Sequence, residues 1–108
     1  MDIEKFKEEL KKYKNKVKFK KHALVRVIER KIDPKLIISH VENPDKLLDV
    51  VPQEPKVPGE KKYRLLFELS RNRKLALVVV MGKEYLYVVT AFIKYRKWDK
   101  MVRRWKRR

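Results

Sequence analysis

Apolar positions change their spacing midway along the chain. Ile3, Phe6, Leu10 and Tyr13 recur at intervals of three and four, which predicts an amphipathic helix over 3–14 with Lys and Glu outward. Val17-Lys18-Phe19-Lys20 alternates and predicts a short extended link. Leu24, Val27 and Ile28 define the core stripe of a second helix over 21–31. Asp33-Pro34 reads as an N-cap followed by proline in the first helical position, so a third helix begins there. It carries Leu36, Ile37 and Val41 on one side, and Asn43-Pro44 ends it.

Pro52, Pro55, Pro58 and Gly59 then crowd into 52–60, a loop that divides a helical half from a β half. Leu47 to Val51, just before it, is a candidate edge strand. After the loop, Tyr63, Leu65, Phe67 and Leu69 alternate with their neighbours as a strand does. Arg71-Asn72-Arg73 predicts a turn, and Leu75 to Met81 is a near-continuous apolar run suited to a central strand. Gly82-Lys83 turns the chain again into a strand over Tyr85 to Ile93. Turns this short force antiparallel pairing. In the tail, Trp98, Val102 and Trp105 fall on one helical face with Met101 beside them, which predicts a basic helix docked through its tryptophans. The expected fold is α+β: N-terminal helices on a three- to four-stranded antiparallel sheet, with a basic C-terminal helix. All 108 residues form one domain, with a helix and link over 1–19, a core over 20–93 and the tail over 94–108.

Charge sharpens this picture. Thirty-one Lys and Arg against 14 Asp and Glu give a net charge of +17. Residues 1–22 hold nine lysines and four acids, whereas 94–108 hold nine Lys or Arg and only Asp99. Two cationic ends therefore flank a nearly ordinary middle. Such a distribution suits a polyanion, because each phosphate neutralised releases condensed counterions. Solubility alone would be served as well by acids. With no cysteine, disulfides, thiolate metal sites and Cys nucleophiles are excluded. The start of the chain has no apolar signal core, and no run approaches ~18 apolar residues, so a cytoplasmic protein without a membrane span is expected. Abundant Lys with few amides also fits a protein built for heat.

Little of the chain has the spacing that catalysis demands. Gly59 and Gly82 are isolated, so there is no phosphate loop, and no acidic or histidine cluster has metal-ligand spacing. Ser39 and Ser70 carry no mark of a triad. The compact constellation is His22, Arg26 and Arg30. At a spacing of four, successive side chains rotate by about 40° and share one helical face. A titratable imidazole beside two guanidinium forks suits phosphodiester cleavage, the first moving a proton and the others holding the phosphate. A solvated helix face is the competing reading. Arg64 lies at a core edge or lines a groove. Tyr87 and Tyr95 can stack on a base or offer a proton, yet strand aromatics mostly pack. Thr90 reads as packed, and His40, sharing a face with Leu36, as a cap on the core.

The strings KHALVRVIERKIDPKLIISHVENPDKL, KYRLLFELSRNRKLALVVV and YLYVVTAFIKY resemble a family of small bacterial and archaeal domains. Those domains are similar to the RelE and BrnT toxins, within the barnase–EndoU–colicin–RelE ribonuclease superfamily. The resemblance spans about 20–96, and its most specific part is His-Ala-x-x-Arg-x-x-x-Arg. It marks His22, Arg26, Arg30 and Thr90 as catalytic positions, with Arg64 and Tyr87 as further candidates. It implies an RNA-binding protein that acts, at its furthest, as a metal-independent endoribonuclease toxin. The implied partners are RNA, in some such systems ribosome-associated, and an acidic antitoxin, with no cofactor and no metal. A non-catalytic RNA- or DNA-binding module of the same fold is the alternative. Two features depart from the family: Lys31 stands where glycine is common, and both basic ends are additions. The added tail supplies Lys97, Lys100, Arg103, Arg104, Lys106, Arg107 and Arg108 as nucleic-acid contacts.

Overall fold

The computed structural model describes residues 2–95. The expected tail helix, its tryptophans and its seven nucleic-acid-binding cations lie outside the described residues. Three α-helices and five strands follow in the order α1 (Ile3–Lys11), β1 (Val17–Phe19), α2 (Lys21–Glu29), α3 (Pro34–Glu42), a 3-10 turn (Pro44–Lys46), β2 (Leu47–Gln53), β3 (Lys61–Ser70), β4 (Arg73–Met81) and β5 (Leu86–Tyr95). The fold is α+β.

Helix starts follow the expected capping chemistry. The Asp2 carboxylate accepts from the backbone N–H of Glu4 at 3.0 Å, and that of Asp33 from Lys35 at 2.9 Å. Along α1, Lys7, Lys11 and Lys12 each pair with a glutamate three residues earlier, at 3.1–3.2 Å. These exposed pairs contribute little beyond solubility.

The sheet runs β1-β5-β4-β3-β2 and is mixed. A three- to four-stranded antiparallel sheet was expected; among the described residues the sheet has five strands, and the extra one is β1. Val17, Lys18 and Phe19 pair in parallel with Leu86, Tyr87 and Val88. Three residues give no readable periodicity, and the partner lies far along the chain, so a link and a strand look alike in the sequence. The 52–60 loop also begins later than its prolines suggest, since β2 carries Pro52 along the sheet's outer edge.

All three helices pack on one face of the sheet. Phe6 and Leu10 of α1, Val27 of α2, and Ile37 and Val41 of α3 join Leu65, Phe67, Leu75, Leu77, Val79, Leu86 and Val88 in a single core. The expected α2 stripe is corrected by one helical step. Ala23 and Val27 are buried, while Leu24 and Ile28 are 38% and 61% exposed. Apolar residues occupy five of the seven positions 22–28, so the sequence leaves the inward direction undetermined, and alanine wins because its small side chain lets α2 approach β5 closely.

The end of α2 requires a residue with positive φ at Lys31. Ile32 N–H donates to the Val27 carbonyl and Lys31 N–H to that of Ile28, both at 3.0 Å. This is a Schellman closure, which needs a left-handed residue at Lys31, and its φ is 57°. Ile32 and Val27 then meet inside the core. A side chain in this conformation costs about 1 kcal/mol. Lys31→Gly is therefore expected to raise unfolding free energy by roughly 1 kcal/mol in urea titration. Lys31→Ala, which keeps a Cβ, should gain nothing; equal gains from both would refute the conformational cause.

Candidate nucleic-acid interface

Among the described residues, no helix packs on the other face of the sheet. Strand pairing sorts its side chains into cross-strand rows. One row runs Val51, Arg64, Val78, Thr90, and the next runs Gln53, Lys62, Val80, Tyr87, Lys18. Further along lie Leu66, Ala76 and Phe92, then Glu68, Lys74 and Lys94. Arg64 and Thr90 sit two strands apart in one row, about 10 Å between backbones at ordinary strand spacing.

Tyr87 and Thr90 share this face only because β5 is irregular. Val88 pairs with Val79 and Thr90 with Val78, so Val89 is an extra residue. In a regular strand, positions three apart point to opposite faces; the bulge turns both to one.

Lysines sit over the aromatic rings of this region. Lys18 Nζ lies 3.9 Å from the Tyr85 ring centre, Lys20 Nζ 4.6 Å from that of Tyr87, and Lys94 Nζ 5.8 Å from that of Phe92. Each is within cation–π range. None of Lys18, Lys20, Tyr85, Phe92 or Lys94 stood out in the sequence as a site residue, although alternating Lys and aromatic positions in strands are the signal that could have found them.

His22, Arg26 and Arg30 do lie on one exposed side of α2, but their settings differ. Beyond Val88, β1 has ended and, among the described residues, the outer edge of β5 has no strand beside it. Arg30 Nη1 closes this edge with a 2.6 Å hydrogen bond to the Ala91 carbonyl. Ala91 is the neighbour of Thr90 and Phe92, so Arg30 ties the α2 row to the rim of the helix-free face. His22 and Arg26 are exposed without such an anchor among the described residues.

Residues 19–93 match the model of a domain of unknown function, DUF4258. The chain belongs to the DUF4258 family. No curated protein and no solved structure matches it. Every one of His22, Arg26, Arg30, Arg64, Tyr87 and Thr90 falls inside the DUF4258 segment, whereas α1 precedes it. Among the described residues, no group of His, Asp and Glu is placed to hold a metal ion, and no helix is long and apolar enough to cross a membrane.

At the corner of the DUF4258 sheet nearest α1, the Tyr13 hydroxyl donates to the Gly82 carbonyl at 2.6 Å. This bond pins α1 to the β4–β5 turn beside Tyr87. Burial pushes the Tyr13 pKa up, the Glu9 charge adds to the rise, and Lys12 opposes it. A raised value means that the fold prefers the protonated phenol. Its contribution is fully present below the unfolded value of 10.0 and is lost as pH climbs through the folded value.

Two measurements check this anatomy. Tyr13→Phe should cost about 1 kcal/mol at neutral pH, and above pH 10 its urea midpoint should fall less steeply than that of the wild type. Parallel slopes would mean that the phenol is not the titrating group. Arg30→Ala should cost about 1 kcal/mol by leaving the Ala91 carbonyl without its donor, against at most ~0.5 kcal/mol for Arg26→Ala. Of the two arginines, Arg30 is the one whose guanidinium bonds the sheet edge.

Proposed function

We propose that this protein binds RNA across the helix-free sheet face and the adjoining α2 row, and cuts it as a RelE-like, metal-independent endoribonuclease. One observation carries the reading. Arg64 of β3 and Tyr87 and Thr90 of β5 lie on one face, and Arg30 joins the histidine–arginine helix to that face's edge. Lysines over aromatic rings suit a single strand, whose bases stack on aromatic faces while phosphates meet cations. The net charge of +17 supports both an RNA target and an acidic antitoxin-like partner.

In the reaction, a ribose 2′-hydroxyl attacks the adjacent phosphorus. The new O–P bond forms as the bond to the 5′ oxygen breaks, leaving a 2′,3′-cyclic phosphate and a 5′-hydroxyl. His22 takes or returns the proton that moves between those oxygens, and Arg26, Arg30 and Arg64 hold the charge that builds on phosphate. Tyr87 stacks on a flanking base, and Thr90 offers a hydroxyl to the backbone.

A second reading has its own support. His22 has no described hydrogen-bond partner to orient its ring, which suits a binding surface better than an acid–base catalyst. Fragment analysis separates the two. Cleavage should leave cyclic phosphate ends, survive EDTA and vanish in His22→Ala. Intact RNA, bound equally by wild type and by His22→Ala and Arg26→Ala variants, would remove the α2 row from any RNA role. If Arg103, Arg104, Lys106, Arg107 and Arg108 contact phosphates, truncation after Trp98 should flatten the slope of log K against log salt by about 3.5, from roughly 0.7 per contact.

A further inference from the structure

A second concavity lies at the opposite end of the sheet from Tyr13, on the helix-bearing face. It has a volume of about 450 Å³, in the range of small-molecule sites. The end of α2, the α3 helix and the 3-10 turn roof it, over the last residues of β3 and β5 and the first of β4. The larger cavity, near 640 Å³ beside Tyr87, mixes Lys20, Lys61 and Lys83 with Glu9 and Glu60 and favours no sign of ligand.

The smaller cavity does favour one. Arg30 and Lys31 at the end of α2, Lys46 of the 3-10 turn and Arg73 of β4 line it together. Its two acids are outnumbered: the Asp33 carboxylate caps α3 through Lys35 N–H, and Glu68 stands opposite Lys74 in the strand register, so the lining is net positive. Among the described residues, ion pairs occur only within α1, so none of the four cations is neutralised by a carboxylate. Arg30 and Arg73 are each steadied through one nitrogen, to the Ala91 carbonyl and, more weakly, to Ser70 Oγ at 3.4 Å. Their remaining N–H groups are in the fork arrangement that grips phosphate oxygens.

The rest of the wall is organic. Leu36, Leu69 and Ile93 line it, and Tyr95 stands half exposed at its edge. His40 completes it with a fixed ring. Its Nδ1 lies 2.8 Å from the Leu36 carbonyl, and its ring meets Phe67 edge-on at 5.6 Å. A carbonyl oxygen only accepts, so Nδ1 carries a proton, and in the neutral ring Nε2 is the acceptor. Of the two histidines, it is His40, not His22, that the fold orients.

We propose that this cavity binds the phosphomonoester of a nucleotide. The phosphate lies among Arg30, Lys31, Lys46 and Arg73, the base rests against Tyr95 and Leu36, and His40 hydrogen-bonds the ligand from the α3 side. An inorganic phosphate would leave the apolar wall uncovered, and an apolar ligand would leave four cations unanswered. The proposal goes beyond the sheet-face reading and stands if cleavage is never found. The phosphomonoester can be a free mononucleotide or the phosphorylated end of an RNA strand; the recognising chemistry is the same.

Titration of the full-length protein with AMP, followed by NMR and calorimetry, tests it. AMP should move the His40 ring resonances and those of Tyr95. Adenosine and inorganic phosphate should each bind at least about tenfold more weakly than AMP. Arg73→Ala and Lys46→Ala should each weaken AMP by about tenfold, whereas Lys5→Ala, which removes equal charge from exposed α1, should not. Competition by a 5′-phosphorylated trinucleotide, but not by its 5′-hydroxyl form, would assign the cavity to an RNA end. AMP binding that no trinucleotide displaces would assign it to free mononucleotide. Adenosine binding as tightly as AMP, equal losses in Lys5→Ala and Arg73→Ala, or shifts confined to Tyr87 and Thr90 would overturn the proposal.

Discussion

The outer edge of β5 is the constraint from which the arrangement of the molecule follows. A sheet edge presents carbonyl and N–H groups that need partners. β1 supplies them for three residues, aided by Lys20 N–H, which donates to the Val88 carbonyl at 3.0 Å. Where β1 stops, the chain turns directly into α2, and a side chain of that helix takes over. Arg30 is thus a structural donor before it is anything else. Closing the edge this way brings a helix of exposed cations alongside the sheet and leaves the far face without helices among the described residues. It also delivers the end of α2, with Lys31, to the cavity roof.

Much of this was legible in the sequence because local chemistry dictated it. Asp33-Pro34 could hardly be other than a helix start, Asn43-Pro44 an end, and the alternation from Tyr63 to Leu69 a half-buried strand. Three features were not legible, each for its own reason. β1 is too short to show a period, and its parallel partner is distant in sequence. The inward side of α2 was hidden because Ala23, Leu24, Val25, Val27 and Ile28 cover most of its circumference, leaving tertiary fit to choose. The common face of Tyr87 and Thr90 depends on a bulge at Val89, and alternation alone would have separated them. Of the candidate site, His22, Arg26 and Arg30 were legible as a set, since helical spacing is enough. What the spacing could not reveal was that only Arg30 is tied to the sheet.

Lys31 and the smaller cavity show charge and backbone pulling in different directions. A left-handed residue at the end of α2 favours glycine, and this chain places a lysine there, at the rim of a cation-lined concavity. Proteins carry such local conflicts most often where a side chain has a task that conformation alone would not select. The same chain keeps its described ion pairs in α1, away from both the helix-free face and the smaller cavity.

The extra residue at Val89 also limits how this domain can vary over evolutionary time. The loop over 54–60 joins two neighbouring antiparallel strands and can change length without moving any side chain from one face to the other. A deletion within β5 has no such freedom. Removing one residue at the bulge would restore regular alternation and send either the Tyr87 end or the Thr90 end of the strand through to the opposite face. Half of the strand's apolar residues would meet solvent, and the surface between Arg64 and Tyr87 would lose its continuity. Length variation among relatives should therefore gather in the proline-rich loop and at the termini, with β5 kept to a constant count.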